Sequence, residues 1–352
     1  MIKRKQTKKI AVGDIFIGGD APISIQSMVK SDARQVEAVV AEILALEKVG
    51  CDLVRLGFLD LDSVKNIAAI KKQIHIPLVA DIHFNYELAL EAIAQGADKL
   101  RINPGNIGTF EQVKMVVAAA KEKNVPIRIG VNAGSLQKDL LAKHGGHPTA
   151  EAMVESAAAH IKILEDLDFG QIVVSLKASD VMLSIEASEL FSQRFDYPLH
   201  LGITEAGTKT SSTVKSSLGI GSLLLRGIGD TIRVSMTDSN LEEVKVAKEI
   251  LKSLDLRPNE PTLISCPTCS RTSWEMIPLA KQVDDYLQSV KKPIKVAVMG
   301  CAVNGPGEAS EADLGVAGGS GERAVLFARR QVIKDVAVAD IFEELKTAID
   351  EF

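Results

Sequence analysis

The sequence predicts an α/β chain in which an N-terminal (β/α)8 barrel, the TIM barrel, is followed by a smaller C-terminal α+β domain. Three observations carry this. Eight short apolar runs alternate with amphipathic helical stretches over the first 240 residues or so. A polar, proline-bearing stretch, "DLRPNEPT", follows the last of them. The 352 residues also exceed the length at which one hydrophobic core usually stops growing.

The runs, in order, are "ISIQSM", "LVRLG", "LVADIHF", "KLRIN", "IRIGV", "IVVSLK", "LHLGI" and "TIRVS". Each is short, apolar and bounded by turn residues, as buried parallel strands are. The spacers include "QVEAVVAEILALEKVG", "YELALEAIAQGA", "FEQVKMVVAAAKEKN", "AMVESAAAHIKILEDL" and "NLEEVKVAKEILKSL". They place apolar residues at three-to-four spacing and are rich in strong helix formers. Eight such units of about thirty residues predict a closed barrel rather than an open doubly wound sheet. The barrel is expected over 1–254 and the linker over 255–262. The second domain, over 263–352, is expected to hold strand-like "IKVAVMG" and "AVLFAR" and a terminal helix in "ADIFEELKTAIDEF".

Composition narrows the function classes. A formal net charge of −5, with 46% hydrophobic and 25% charged residues, gives no reason to expect a nucleic-acid partner. The basic start "MIKRKQTKKI" is not followed by an unbroken apolar segment, because Asp14 and Asp20 interrupt it. No run approaches a membrane span, so a cytoplasmic protein is expected. In that compartment thiols stay reduced, and Cys266, Cys269 and Cys301 read as metal ligands or redox groups. Cys51, at the head of an apolar run, reads as a small buried hydrophobe.

The strands carry polar residues where a barrel interior calls for apolar ones. Alternate residues share a face, so Asp81 pairs with His83, Arg101 with Asn103, Arg128 with Asn132, and Ser175 with Lys177. His200 pairs with Thr204, and Arg233 with Ser235. Arg55 falls near the end of its strand and Glu205 just past the end of the seventh. Strand C-termini are where barrel enzymes build their sites. Arg55, Arg101, Arg128 and Lys177 would converge there with Asp81 and Glu205 to offset them. That surplus of cations predicts a ligand with more than one phosphate. The alternative for each cation is a core ion bridge to a carboxylate. Gly-rich "NPGNIG" and "GVNAGS" could add backbone N–H groups.

"SCPTCSR" and the later "MGCAVNGPGEA" supply three thiols, one short of a closed structural zinc or ordinary iron–sulfur site. Glu308, seven residues after Cys301, is the nearby candidate for the fourth ligand. Spacing alone leaves two readings, a catalytic cluster with one displaceable carboxylate ligand and a zinc site that stabilises a small domain.

Long blocks of the chain resemble the bacterial 4-hydroxy-3-methylbut-2-enyl diphosphate synthases, iron–sulfur enzymes of the methylerythritol phosphate route to isoprenoids. Among these blocks are "PLVADIHF", "KLRINPGNIG", "RIGVNAGSL", "VVSLKASDV", "YPLHLGITEAG", "GIGDTIRVS", "SCPTCSR" and "AVMGCAVNGPGEASEADLGVAGG", which run nearly end to end. The resemblance implies a [4Fe-4S] cluster on Cys266, Cys269, Cys301 and Glu308, and the substrate 2-C-methyl-D-erythritol 2,4-cyclodiphosphate. With it, Arg55, Arg101, Arg128 and Lys177 are expected to hold the diphosphate, with His83 and Asn132 orienting it and Thr204 a further substrate-binding residue. Glu205 and Asp81 are the candidates for handling protons, and Glu308 is expected to act at the cluster. A one-electron carrier, flavodoxin or ferredoxin, is the expected donor, and no nucleotide fingerprint supports a nicotinamide instead. "IQSMVKSDAR" departs from the threonine-rich loop usual in the family, so Lys30 to Arg34 are assigned no substrate contact. Other readings are a barrel of the dihydropteroate synthase kind with an appended zinc domain, or a barrel fused to a non-catalytic metal module.

Chain direction adds one expectation. The last barrel helix returns the chain to the face opposite the strand C-termini, and the roughly nine residues to Leu263 span at most about 30 Å. That predicts a head-to-tail homodimer in which each cluster domain serves the partner's barrel.

Overall fold

The structure, a computed structural model, describes residues 2–301, 309, 311–319, 322–329 and 331–352. The chain forms two compact units, Met1–Leu256 and Arg257–Phe352. No helix among the described residues is long and apolar enough to cross a membrane.

The first unit opens with a hairpin, β1 (Ile10–Val12) and β2 (Ile15–Ile17), turned at Gly13 with φ of 54°. The barrel strands are β3 (Ser24–Met28), β4 (Leu53–Gly57), β5 (Leu78–Asp81) and β6 (Lys99–Arg101). They continue with β7 (Ile127–Asn132), β8 (Ile172–Lys177), β9 (His200–Leu201) and β10 (Thr231–Ile232). All neighbours pair in parallel in the order β8-β7-β6-β5-β4-β3-β10-β9, and a bridge between Val174 and Leu199 closes the ring. The first hairpin supplies Ile10, Val12 and Ile17 to an apolar cluster with Leu53, Val79 and Val173, which packs the interior at the strands' N-terminal end. The cluster leaves the opposite end of the interior open to polar side chains.

Residues just beyond the strand ends start the next helices. Asn85 caps Tyr86–Ala94, Thr109 forms a capping box with Gln112 ahead of Phe110–Lys123, and Asp180 caps Val181–Arg194. The helices bury their apolar stripes against the outside of the barrel in one large core, with Ile43, Val117, Ile161 and Leu251 among its members. Cys51 is buried in that core.

The second unit is a five-stranded sheet, β11 (Thr262–Ser265), β12 (Lys295–Met299), β13 (Leu314–Gly318), β14 (Arg323–Ala328) and β15 (Gln331–Ala337). The first two pairings are parallel and the last two antiparallel. Helices Ile277–Leu287 and Ile341–Glu351 place Leu279, Val283, Leu345 and Ile349 against Val296, Val298, Val316 and Leu326. This unit has its own core, separate from that of the barrel.

Candidate active site

At the strands' C-terminal end lies a cavity of about 170 Å³ lined by Arg55, Asp81, His83, Arg101, Arg128, Asn132, Ser175, Lys177, Thr204, Arg233 and Ser235. Each side chain is delivered by strand alternation. Arg101 and Arg128 lie side by side in the β6–β7 register, and Asn132 beside Lys177 in the β7–β8 register. Two glycines at inward positions leave the space that the long cations need. A Cβ on Gly130 would sit 2.9 Å from Arg101 Nε, and one on Gly202 would sit 2.8 Å from Lys177 Nζ and 2.5 Å from the Arg233 carbonyl oxygen.

The cations fall into two groups. Asp81 serves the first, with Arg55 Nε at 3.5 Å, Arg101 Nη1 at 3.4 Å and His83 Nε2 at 3.5 Å. Burial opposes ionisation of Asp81, but His83, Arg55 and Arg101 outweigh it and hold the carboxyl well below the usual carboxylate range. Burial likewise pulls Arg55 down to about 10, with Asp81 working against it. In the second group, Arg128 and Lys177 have no such partner among the described residues, and Arg233 has one. Arg128 is nearly inaccessible, and its Nη1 donates to Ser175 Oγ at 2.6 Å. Its Nε and Nη2 have no hydrogen-bond partner among the described residues. Lys177 is buried and, among the described residues, within salt-bridge reach of no carboxylate. Burial, followed by the charges of Arg128 and Arg233, pushes its amine well below the usual lysine range. Arg233 leans on Glu243 at 3.7 Å, a buried carboxylate that also accepts from the Met236 N–H at 3.0 Å. Such a surplus of buried cationic groups is costly, and an anion bound among them would lower that cost.

Not every expected residue reaches this cavity. Asn103 uses its Oδ1 to accept the Gly130 N–H at 3.0 Å, bracing the loop after β6. His200 lies deeper, fully buried, with Nδ1 3.4 Å from Thr231 Oγ1. Glu205 is exposed, one residue beyond Thr204, and holds a left-handed φ of 51°. It does not line the cavity. Lys30 to Arg34 line a second cavity, of about 360 Å³, with Met28, Leu59 and Asp60. Arg233 and Ser235 join the lining although only their shared strand face, and no assigned role, pointed to them. Glu243 carried no sequence signal, since an acidic residue in a first helical turn is ordinary.

In the second unit, Cys266 follows β11 and Cys301 follows β12, two neighbouring parallel strands whose register pairs Ser265 with Val298. Cys266 and Cys301 are thus placed at one end of the sheet, and Cys269 lies one tight turn further on. That turn has Pro267 followed by Thr268 at φ of 56°, an uncommon backbone for a β-branched residue. It is tied down by Ser273 N–H donating to the Gly300 carbonyl at 3.0 Å and Trp274 Nε1 donating to the Met299 carbonyl at 3.2 Å. The Gly300 N–H points at Cys266 Sγ at 3.2 Å, and hydrogen bonding from the Arg271 backbone lowers the Cys269 thiol. The three cysteines are free thiols. Among the described residues no cluster of three metal-ligating side chains is already closed. Glu308 lies outside the described residues.

The barrel and its cavity define an α/β-barrel protein with a cation-lined cavity at the strands' C-terminal end, joined to a thiol-bearing unit with its own core. The chain belongs to the GcpE family: the family's TIM-barrel domain matches residues 7–248 and its C-terminal domain residues 262–351. Over 350 residues it is 57% identical to the 4-hydroxy-3-methylbut-2-en-1-yl diphosphate synthase (flavodoxin) of Shouchella clausii, covering 99% of this chain and 95% of that one. The enzyme of the same name from Bacillus velezensis is 58% identical, covering 99% and 92%. Among solved structures, dihydropteroate synthase from Stenotrophomonas maltophilia superposes with a TM-score of 0.51 at 16% identity, covering 71% of this chain and 98% of that one. That from Xanthomonas albilineans gives 0.50 at 15%, covering 71% and 99%. This likeness shows the barrel fold alone.

The glycine at 202 gives a direct test of the lining. Gly202→Ala should weaken binding of inorganic pyrophosphate about tenfold or more and destabilise the barrel by about 1–3 kcal/mol, since its Cβ meets backbone as well as Lys177. Calorimetric titration and a thermal melt would measure the two effects. Unchanged affinity would show that Lys177 does not need that space.

Proposed function

We propose that this chain is a 4-hydroxy-3-methylbut-2-enyl diphosphate synthase, converting 2-C-methyl-D-erythritol 2,4-cyclodiphosphate to (E)-4-hydroxy-3-methylbut-2-enyl diphosphate. The observation that carries this reading is that Arg128 and Lys177 lie buried with no carboxylate among the described residues in salt-bridge reach, in a chain 57% identical over 99% of its length to a relative bearing that name. The reaction takes up two electrons and one proton, breaks the C2–O bond of the ring, and loses the C3 hydroxyl as water. The dianionic cyclic diphosphate becomes a linear trianion, so negative charge grows where the cations converge.

Arg128, Lys177, Arg233, Arg55 and Arg101 hold the diphosphate, and Asn132, Thr204, Ser235 and His83 orient it by hydrogen bonds. Asp81 keeps Arg55, Arg101 and His83 in place. With its pKa held low it is a poor proton donor, which leaves Glu205, on the rim, as the proton-handling carboxylate, after a rotation of its exposed side chain. Cys266, Cys269 and Cys301, with Glu308, are the ligands for a [4Fe-4S] cluster. Free thiols at the ends of adjacent strands and an N–H aimed at Cys266 suit thiolate ligation. When bound, the cluster supplies electrons singly and a Lewis-acidic iron for the departing oxygen. Flavodoxin or ferredoxin would deliver the electrons in the cytoplasm.

Protein purified without oxygen is expected to be brown and to bleach in air, with about four irons per chain. A colourless protein with one zinc would overturn the cluster. For the assembly, the short connection after Asn240–Ser253 favours a head-to-tail homodimer whose sites form between chains. Mixing inactive Cys266→Ala and Lys177→Ala proteins under subunit exchange should then restore part of the activity, because one site in each mixed dimer carries no lesion. A mixture that stays inactive would place both halves of each site in one chain.

A further inference from the structure

Beneath the cavity, the barrel interior holds a second polar layer. Lys99 alternates with Arg101 on β6, so it faces the same interior one layer down, and none of its surface is exposed. Its Nζ has no hydrogen-bond partner among the described residues, nor do Ser24 Oγ, both polar atoms of the Gln26 amide or His200 Nε2. A lysine in this position is unusual, because a buried ammonium without a carboxylate is costly. The charged and titratable groups at inward positions of the other strands are Arg55, Asp81, Arg128, Lys177, Arg233 and His200, of which Arg128, Arg55 and His200 act on Lys99 electrostatically. From β3 come only the uncharged Ser24 and Gln26. The one carboxylate among them, Asp81, is already shared by Arg55 and Arg101.

We propose that Lys99 is a charge-balancing group that takes up a proton when the cyclic diphosphate docks on Arg128 above it. This rests on the substrate assignment made above. In the ligand-free protein the buried Lys99 Nζ has no acceptor to hold a charge, burial and the Arg128 and Arg55 charges drive its amine well below its usual range, and on this proposal it is neutral there. A docked dianion reverses the sign of the local field, and the amine gains its proton without any side chain having to move. Lys99 does not touch the ligand. Its role is to adjust the charge of the floor to the charge of the occupant, so that a strongly cationic barrel can fold empty and still bind a polyanion tightly.

The test uses holoprotein without reductant and the cyclic diphosphate itself, whose acid groups are ionised throughout the neutral range. Titration calorimetry at pH 7.5 in buffers of differing ionisation heat counts the protons absorbed on binding. Lys99→Met should absorb about one proton fewer than wild type, and its Kd should rise about tenfold less per pH unit between pH 7 and 9. Lys177 and His200 also contribute to the total, so the difference between variants is the readout. Lys99→Gln provides a second neutral replacement if Lys99→Met does not fold. Equal proton uptake by wild type and either variant overturns the proposal while leaving the substrate assignment standing. Failure of the wild type to bind the cyclic diphosphate overturns both.

Discussion

Replacing Lys177 by Ala is expected to raise the dissociation constant for the cyclic diphosphate by two orders of magnitude or more, with little change in the melting temperature of the ligand-free protein. Truncating one partner of a buried, desolvated charge pair costs about 2–5 kcal/mol of binding. Lys177 has its partner on the ligand, because no carboxylate among the described residues lies within salt-bridge reach. Its amine stands instead in the field of Arg128, Arg233, Arg55 and Arg101. Removing it takes away a buried amine that no carboxylate among the described residues holds, which offsets the packing lost with its stem. Lys177→Met, which keeps most of the stem, should lose affinity to the same extent. Calorimetry and thermal melts without ligand measure both sides. A fall of many degrees in the empty protein, with affinity retained, would mean that Lys177 is a structural residue.

Replacing Cys266 by Ala is expected to abolish turnover and the visible absorption of the cluster while leaving affinity for the cyclic diphosphate close to that of wild type. The reasoning is architectural. The barrel and the thiol-bearing unit have separate cores, so a lesion at the end of β11 leaves the cation-lined cavity intact. Cys266 also packs into its own fold, receiving the Gly300 N–H and lying against Met276. Losing it removes one ligand and the hydrogen bond that orients it, a change worth at least a hundredfold in metal affinity by analogy with lesser second-layer losses. Iron analysis, the visible spectrum and a binding titration separate the two effects. Full iron retention in Cys266→Ala would remove this cysteine from the ligand set.

The barrel was legible because its signals are local and repeated. Apolar runs such as "IVVSLK" became strands of the expected parity, and most of the polar residues at alternate positions line one cavity, Asn103 and His200 excepted. The hairpin Ile10–Ile17 escaped notice because its runs are only three residues each. Its role at the barrel floor exists only through contacts with Leu53, Val79 and Val173, far away in sequence. Lys99 was hidden for a related reason: alternation places it inward, but only the tertiary structure shows that nothing there answers its charge. The second unit was read in part. "IKVAVMG" and "AVLFAR" are ordinary apolar strands, whereas β13 carries two glycines and β15, with residues 331–335 exposed, lacks a buried face to pattern it. Glu205 shows the limit of position along a strand. It comes one residue after a lining threonine, and a left-handed turn of the backbone is enough to carry it to the rim.

The most direct test of the account is turnover by the full chain, purified and kept without oxygen, with 2-C-methyl-D-erythritol 2,4-cyclodiphosphate and reduced flavodoxin. Mass spectrometry of the products should show consumption of the cyclic diphosphate and appearance of (E)-4-hydroxy-3-methylbut-2-enyl diphosphate, one for each two electrons supplied. Iron-loaded protein that binds the cyclic diphosphate yet leaves it intact with reduced flavodoxin and with a chemical one-electron reductant would contradict the account.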